Sequence, residues 1–310
     1  MNTFSRRRFV MSAGAAAAGA AVMPRMSWAS PMGLPIGIQL YTVGKPLEDD
    51  PAGTLKQLAA IGYREVESAG PLKKATAKEL RAMLDDAGLK CPSAHLRLTE
   101  PELGPLFDEA KTLGATYAVS SVLRSFDFLK PKPGGPPPDM AHLPPLPPMG
   151  LDGFKKTAEQ MNEVGRKAKA AGLQYAYHNH NFEFEKMPDG SPGYDVLVKE
   201  SDPELVKFEI DCGWMVIAGY DPVAYFTKYP GRFRMLHIKD FTARKPTTDL
   251  IGPDRPSGRD LGKGFVDYRP IFAAGKTASI EHIFVEQEMP FPVSRMESAK
   301  VDFAYLEKFS

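Results

Sequence analysis

A single rhythm does most to limit what this chain can fold into. From residue 34 onward, apolar runs of five to seven residues alternate with helical patterns. The runs fall at 36–41, 63–67, 92–96, 117–121, 174–180, 206–211, 233–239 and 283–288. Between them lie helical patterns at 51–61, 78–87, 102–113, 151–171, 196–200, 222–229, 268–273 and 294–309. Gly62, Gly88, Gly114 and Gly172 each stand just past a predicted helix and before a predicted strand, where a left-handed cap is wanted. Strands separated by helices of this size run parallel through right-handed crossovers. Eight such units fit one closed (β/α)8 (TIM) barrel of class α/β. An open doubly wound sheet is the competitor, but Tyr41-Thr42-Val43-Gly44 after the first strand carries no GxGxxG loop.

The first 29 residues stand outside this rhythm. Ser5-Arg6-Arg7-Arg8-Phe9 leads into an Ala/Gly-rich stretch over 12–22 and then Ser27-Trp28-Ala29, a small-x-small cleavage pattern. We read 1–29 as a twin-arginine signal peptide cut after Ala29, and 30–310 as one barrel in the periplasm. The stretch is too short and too weakly apolar to span a bilayer, so stable membrane insertion is not expected. Over the whole chain 39 basic residues face 38 acidic ones. Four arginines and no acid lie in the leader, so the remainder carries a net charge of −3. No broad positive surface is left for nucleic acid. The composition leaves an oligomer open.

Two interruptions break the pattern. Residues 131–148 hold nine prolines in eighteen positions, which no helix or sheet tolerates. This insertion follows the fourth strand, on the face where barrel enzymes carry their sites. It reads equally as a surface spacer or as a pocket wall or subunit contact. Residues 242–264 are polar, contain Gly and Pro, and follow the seventh strand.

Polar residues at strand ends carry the functional signal. Parallel barrel strands are buried on both faces and should be almost wholly apolar. Yet four of the six histidines, His95, His178, His180 and His237, fall at predicted C-terminal strand ends, with Asp211 and Glu286 beside them. Buried unpaired, each such charge would be strongly destabilising, and a divalent cation offsets that directly. Imidazole and carboxylate donors without thiolate suit Mn²⁺, Mg²⁺, Co²⁺ or Zn²⁺. Cys91 and Cys212 are expected at opposite barrel ends, too far apart for a disulfide.

Gly37-Ile38-Gln39-Leu40-Tyr41-Thr42, Gly62-Tyr63-Arg64-Glu65-Val66-Glu67, Tyr177-His178-Asn179-His180-Asn181-Phe182-Glu183-Phe184, Glu209-Ile210-Asp211-Cys212-Gly213-Trp214, His237-Ile238-Lys239-Asp240 and Val285-Glu286-Gln287-Glu288 occur in this order. Together they resemble the xylose isomerase-like TIM-barrel superfamily. More narrowly they are similar to the sugar phosphate isomerase/epimerase branch that includes inosose dehydratases and secreted keto-sugar enzymes. The resemblance implies a divalent metal on four strand-end ligands, with Asp211, His237 and Glu286 matching three. Many relatives have Glu where this chain has His178, so the fourth ligand is either His178 or Glu183.

Such a site suits proton abstraction next to a carbonyl, with a metal-stabilised enediolate. His180 is the expected base or acid, and Lys239 the partner of a substrate oxygen or else of Asp240 or Glu288. Glu67 and His95 would orient sugar hydroxyls, whereas Glu65 is expected to face the helices. Trp214 at the rim and Tyr41 at the first strand end would stack on sugar or pack under loops. Gly262-Lys263-Gly264 lacks the strand-loop-helix setting of a phosphate loop. The expectation is a sugar isomerase, epimerase or lyase acting on a small unphosphorylated sugar or keto-sugar. A non-catalytic periplasmic carbohydrate binder and an apurinic-endonuclease-like phosphodiesterase are the alternatives.

Overall fold

The computed structural model describes residues 30–99, 101–123, 143–242 and 246–309. The leader and residues 131–142 of the proline-rich insertion lie outside these. Eight parallel strands close into a barrel: β1 (Ile36–Gln39), β2 (Glu65–Ser68), β3 (Lys90–His95), β4 (Tyr117–Ser120), β5 (Gln174–His178), β6 (Val206–Asp211), β7 (Phe233–Ile238) and β10 (His282–Val285), which returns to β1. A two-stranded antiparallel ribbon, β8 (Asp240–Phe241) with β9 (Gly258–Arg259), rises above β7 out of the polar segment seen in the sequence.

The helices are α1 (Gly44–Asp49), α2 (Pro51–Ile61), α3 (Ala77–Ala87), α4 (Gly104–Leu113), α5 (Gly150–Ala170), α6 (Gly193–Glu200), α7 (Cys212–Ile217), α8 (Pro222–Lys228), α9 (Tyr268–Gly275) and α10 (Arg295–Leu306). Their ends follow local chemistry. Thr76 and Glu79 close a capping box on α3, and Gly88 ends it in the left-handed region at φ 71°. Gly114 does the same for α4 at φ 87°. The main apolar core lies between strands and helices and includes Leu55, Leu84, Phe107, Phe154 and Phe208.

Alternation along the strands sorts the barrel interior into layers. Val119, Ala176, Met235 and Phe284 fill the middle. Phe284 has room only because its register partner in β1 is Gly37. A Cβ there would stand 2.6 Å from Phe284 Cδ1 and 2.7 Å from the Ile283 carbonyl oxygen. Below, Glu65 Oε2 and His282 Nδ1 pair at 2.8 Å. Glu65 therefore turns inward, contrary to the expectation from sequence, because it shares a strand face with Glu67. Cys91 and Cys212 are free and buried, as expected.

Candidate active site

The upper layer of the barrel is where the titratable residues gather. His178 ends β5, Asp211 ends β6, His237 lies in β7 and Glu286 follows β10. One nitrogen or oxygen of each lies within 4.8 Å of the others, a set of donors able to hold a metal ion. A second such set, of His95, His178, Glu209 and His237, shares the two central histidines. The rings of His178 and His237 are 4.4 Å apart, and that of His95 is 5.2 Å from His178.

Local structure explains why these side chains meet. Asp211 caps α7, and its Oδ1 accepts the Trp214 N–H at 2.8 Å. Its Oδ2 is buried with no hydrogen bond, although Lys239 Nζ stands 2.9 Å away. Beyond the end of the ladder, Asn179 Oδ1 accepts the Asp211 N–H at 3.0 Å and ties β5 to β6. Lys239 Nζ also donates to Glu286 at 2.7 Å and Glu288 at 3.2 Å, and Arg255 takes the other Glu288 oxygen at 3.0 Å. Asp240 does not pair with Lys239. Its carboxylate accepts the backbone N–H groups of Gly262, Gly264 and Val266, so the Gly262-Lys263-Gly264 turn wraps a carboxylate of its own chain.

Three expectations from sequence are corrected. Glu183 belongs to neither donor set: it accepts from Tyr177 OH and from the His180 N–H, both at 2.9 Å. His178, by contrast, stands in the donor set with Asp211, His237 and Glu286. Trp214 is not at the rim. The turn into α7 drops it into full burial against Phe241, 4.6 Å between ring centroids. Glu67 is fully buried and already accepts from Gln39 Nε2 at 2.9 Å and Ser93 Oγ at 2.5 Å, which leaves no face for a sugar hydroxyl. Sequence reading also passed over Glu209 as a site residue. The signal was there: Glu209 precedes Asp211 by two, so strand alternation puts both on one face.

The charges follow from this crowding. Burial, then Lys239, lifts and restrains Asp211, which settles at about 6. Burial works against an ionised Glu286, but Lys239 and His237 hold it below the usual carboxylate range. Burial likewise opposes charge on His95, yet Glu67 and then Glu209 pull it up to about 10. His180 goes the other way: burial and the Lys239 ammonium push it down to about 3, so it stays neutral. Burial raises Glu183 to about 8. Carboxylate outnumbers fixed cation here, and protons are drawn onto His95 and His237, whereas burial and the neighbouring His237 and His180 push His178 well below the usual imidazole range.

A cavity of about 580 Å³ opens over His95 and Glu286, walled by Tyr41, Gly70, Leu96 and Arg97 among others. Tyr41 is 41% exposed at its edge. His180 stands beside the donors, 5.2 Å from His178 between ring centroids. Buried donors, a neutral imidazole, an ammonium and an open cavity at the C-terminal mouth make an arrangement able to bind a cation and move a proton on a small polyhydroxylated ligand.

Known proteins resemble this chain in sequence and in fold. The chain is 24% identical to an inosose dehydratase of Geobacillus kaustophilus over 277 residues, 80% of this chain and 85% of that protein. It is 30% identical to the inosose dehydratase of Clostridium beijerinckii over 126 residues, 38% of this chain and 41% of the relative. Several such dehydratases are spanned over only 41% to 54% of their length. A crystal structure of a sugar phosphate isomerase/epimerase from Parabacteroides distasonis superposes with a TM-score of 0.66 at 27% identity, over 88% of this chain and 93% of that one. The profile of the xylose isomerase-like TIM barrel family matches residues 55–308, from α2 into the turn after α10. With the closed eight-stranded barrel, that match makes this chain a member of the xylose isomerase-like TIM barrel family.

Proposed function

We propose that the protein is a divalent-metal-dependent isomerase, epimerase or lyase that takes a proton from the carbon next to a carbonyl of an unphosphorylated sugar or keto-sugar. The observation that carries this is the convergence of His178, Asp211, His237 and Glu286 from four separate strands. The donors fit a cation: all are nitrogen or oxygen, and the buried Asp211 Oδ2 has no hydrogen bond to fill its lone pairs. Mn²⁺, Mg²⁺, Co²⁺ and Zn²⁺ all match such a set. When bound, the cation would supply Lewis acidity that makes the hydrogen beside a carbonyl removable.

The chain's own residues would do the rest. His180, neutral at working pH, takes up the proton. Burial opposes charge on Lys239, but Asp211, Glu286 and Glu288 keep it an ammonium, so it can donate to a substrate oxygen. Tyr41 and Leu96 offer apolar contact to a sugar ring in the cavity, and His95 lies at its floor. The site's own charge is acidic, which disfavours a phosphorylated sugar. The dehydratases among the relatives favour loss of a group β to the carbonyl; return of the proton to carbon would give an isomer or epimer. The twin-arginine pattern at 5–9 supports a periplasmic address.

The test is proton exchange of 2-keto and 3-keto sugars in D₂O with metal-reconstituted protein lacking 1–29. Deuterium incorporation that stops with chelator and in Asp211→Asn is expected. Metal-replete protein that exchanges no proton with any of these sugars would point to a binder on the same barrel.

A further inference from the structure

Below the four donors lies an inner pair of carboxylates that the chemistry above leaves unused. Glu209 and Glu67 are both fully buried. Glu209 Oε2 lies 2.9 Å from His178 Nδ1, and Glu67 Oε2 lies 2.6 Å from His237 Nε2. The opposite nitrogens of the same rings face the outer carboxylates: His178 Nε2 is 3.7 Å from Asp211 Oδ2, and His237 Nδ1 is 2.8 Å from Glu286 Oε2. Each imidazole is thus held between an inner and an outer acid, through different nitrogens.

We propose that Glu209 and Glu67 are positioning residues that fix the tautomer of His178 and His237 and strengthen both as metal ligands. The inference rests on the cation-binding reading of the outer set. His178 Nδ1–H donates to Glu209 and leaves Nε2 with its lone pair toward Asp211; His237 Nε2–H donates to Glu67 and leaves Nδ1 toward Glu286. A carboxylate behind an imidazole raises its basicity as a ligand and locks its ring orientation. Charge makes the same point. Asp211 and Glu286 are the only acids of the outer set, and Glu209 and Glu67 place two more carboxyl groups one layer deeper.

Glu67 is built for such work. Ser93 and Gln39 hold it from the sides, so its Oε2 cannot swing off the His237 edge without breaking both bonds. The cluster His95, His178, Glu209 and His237 has the composition of a metal site by itself, and Glu209 Oε1 is buried without a partner. A second cation there would need both shared rings to shed their remaining proton. We therefore assign these acids to positioning, and the metal count decides between the two readings.

The experiment titrates metal-stripped protein with Co²⁺ and follows its visible absorption, with stoichiometry read from the break point. Wild-type protein is expected to bind one Co²⁺ per chain. Glu209→Gln and Glu67→Gln should each keep that stoichiometry and bind about 10- to 100-fold more weakly, with an altered Co²⁺ spectrum. Glu65→Gln, at the far end of the barrel, should match wild type. Should Glu209→Gln fail to fold by circular dichroism, Glu67→Gln carries the same test. Affinities within about threefold of wild type in both variants would overturn the proposal and leave the outer site standing. Two Co²⁺ in wild type falling to one in Glu209→Gln would also overturn it, since Glu209 would then be a ligand. No Co²⁺ bound by wild type would end the cation-binding reading and this inference together.

Discussion

Both mouths of the barrel hold a histidine paired to a carboxylate at 2.8 Å: His282 with Glu65 below, His237 with Glu286 above. Distance does not separate them, but surroundings do. The lower pair is one acid and one imidazole, with Tyr117 donating nearby to Glu281 at 2.7 Å and Arg234 joining Glu281 at 3.2 Å. There each donor has a carboxylate oxygen to itself: His282 takes Glu65 Oε2, Tyr117 takes Glu281 Oε2 and Arg234 takes Glu281 Oε1. In the upper mouth His237 faces Glu286, Glu67 and Glu209 at once, Lys239 faces three acids, and buried oxygens of Asp211 and Glu209 stay without hydrogen bonds. One-to-one pairing is what stability asks of buried charge. Crowding with orphaned acceptors marks a place kept for something else.

Exchanging one acid at each mouth breaks the comparison most sharply. Asp211→Asn should remove bound metal and lower turnover on the order of 10²- to 10³-fold or more, while the fold survives because the Asn oxygen can still cap α7. Metal analysis and deuterium exchange on the same sample check this. Retained metal and turnover would erase the distinction between the mouths.

The middle layer ranks next. Gly37→Ala forces a methyl group against Phe284, and overpacking of this kind typically destabilises by about 1–3 kcal/mol. Thermal melting should drop accordingly, and Phe284→Leu should recover part of the loss. The change displaces β10 against β1, so metal affinity should fall with it, because Glu286 follows β10 directly.

A smaller effect is expected below. Glu65→Gln replaces a charged hydrogen bond with a neutral one. It should lower the melting temperature by roughly 2–6 °C, in line with about 1–2 kcal/mol. Turnover should stay within about twofold of wild type. A large loss of activity would show that the lower pair tunes the upper site through the strands.

The sequence carried the frame well. Gly88, Gly114 and Gly172, all at positive φ, mark three of the turns from helix to strand. Polar residues at the ends of apolar strands singled out Asp211, His237 and Glu286. What escaped was depth. Alternation says which face a residue takes but not how far along the barrel axis its neighbours stand, so Glu67 was read as facing substrate when it lies beneath His237. Trp214 escaped because nothing in Cys212-Gly213-Trp214 announces that a helix begins at once and folds the indole inward. Glu183 was misplaced for a related reason: the 3-10 turn at Phe182–Phe184 aims its carboxyl back at the His180 N–H.

Glu183 offers the finest division, since it shares the upper mouth without joining the donors. Burial raises it to about 8, so at neutral pH it is a carboxylic acid. A carboxyl whose pKa is raised on folding stabilises fully below its ordinary value, and that contribution disappears as pH climbs through about 8. Glu183→Gln imitates the protonated form but gives Tyr177 OH and the His180 N–H one acceptor oxygen to share, a loss of about 1 kcal/mol. At pH 6 the variant should therefore melt within about 3 °C of wild type. Between pH 6 and 9 the wild-type melting temperature should fall further than that of the variant, and the two should converge or cross. Metal content should be unchanged throughout. A variant that loses its metal altogether would return Glu183 to the ligand set in place of His178, because Gln can stand in for a neutral hydrogen-bonding acid but not for a coordinating carboxylate.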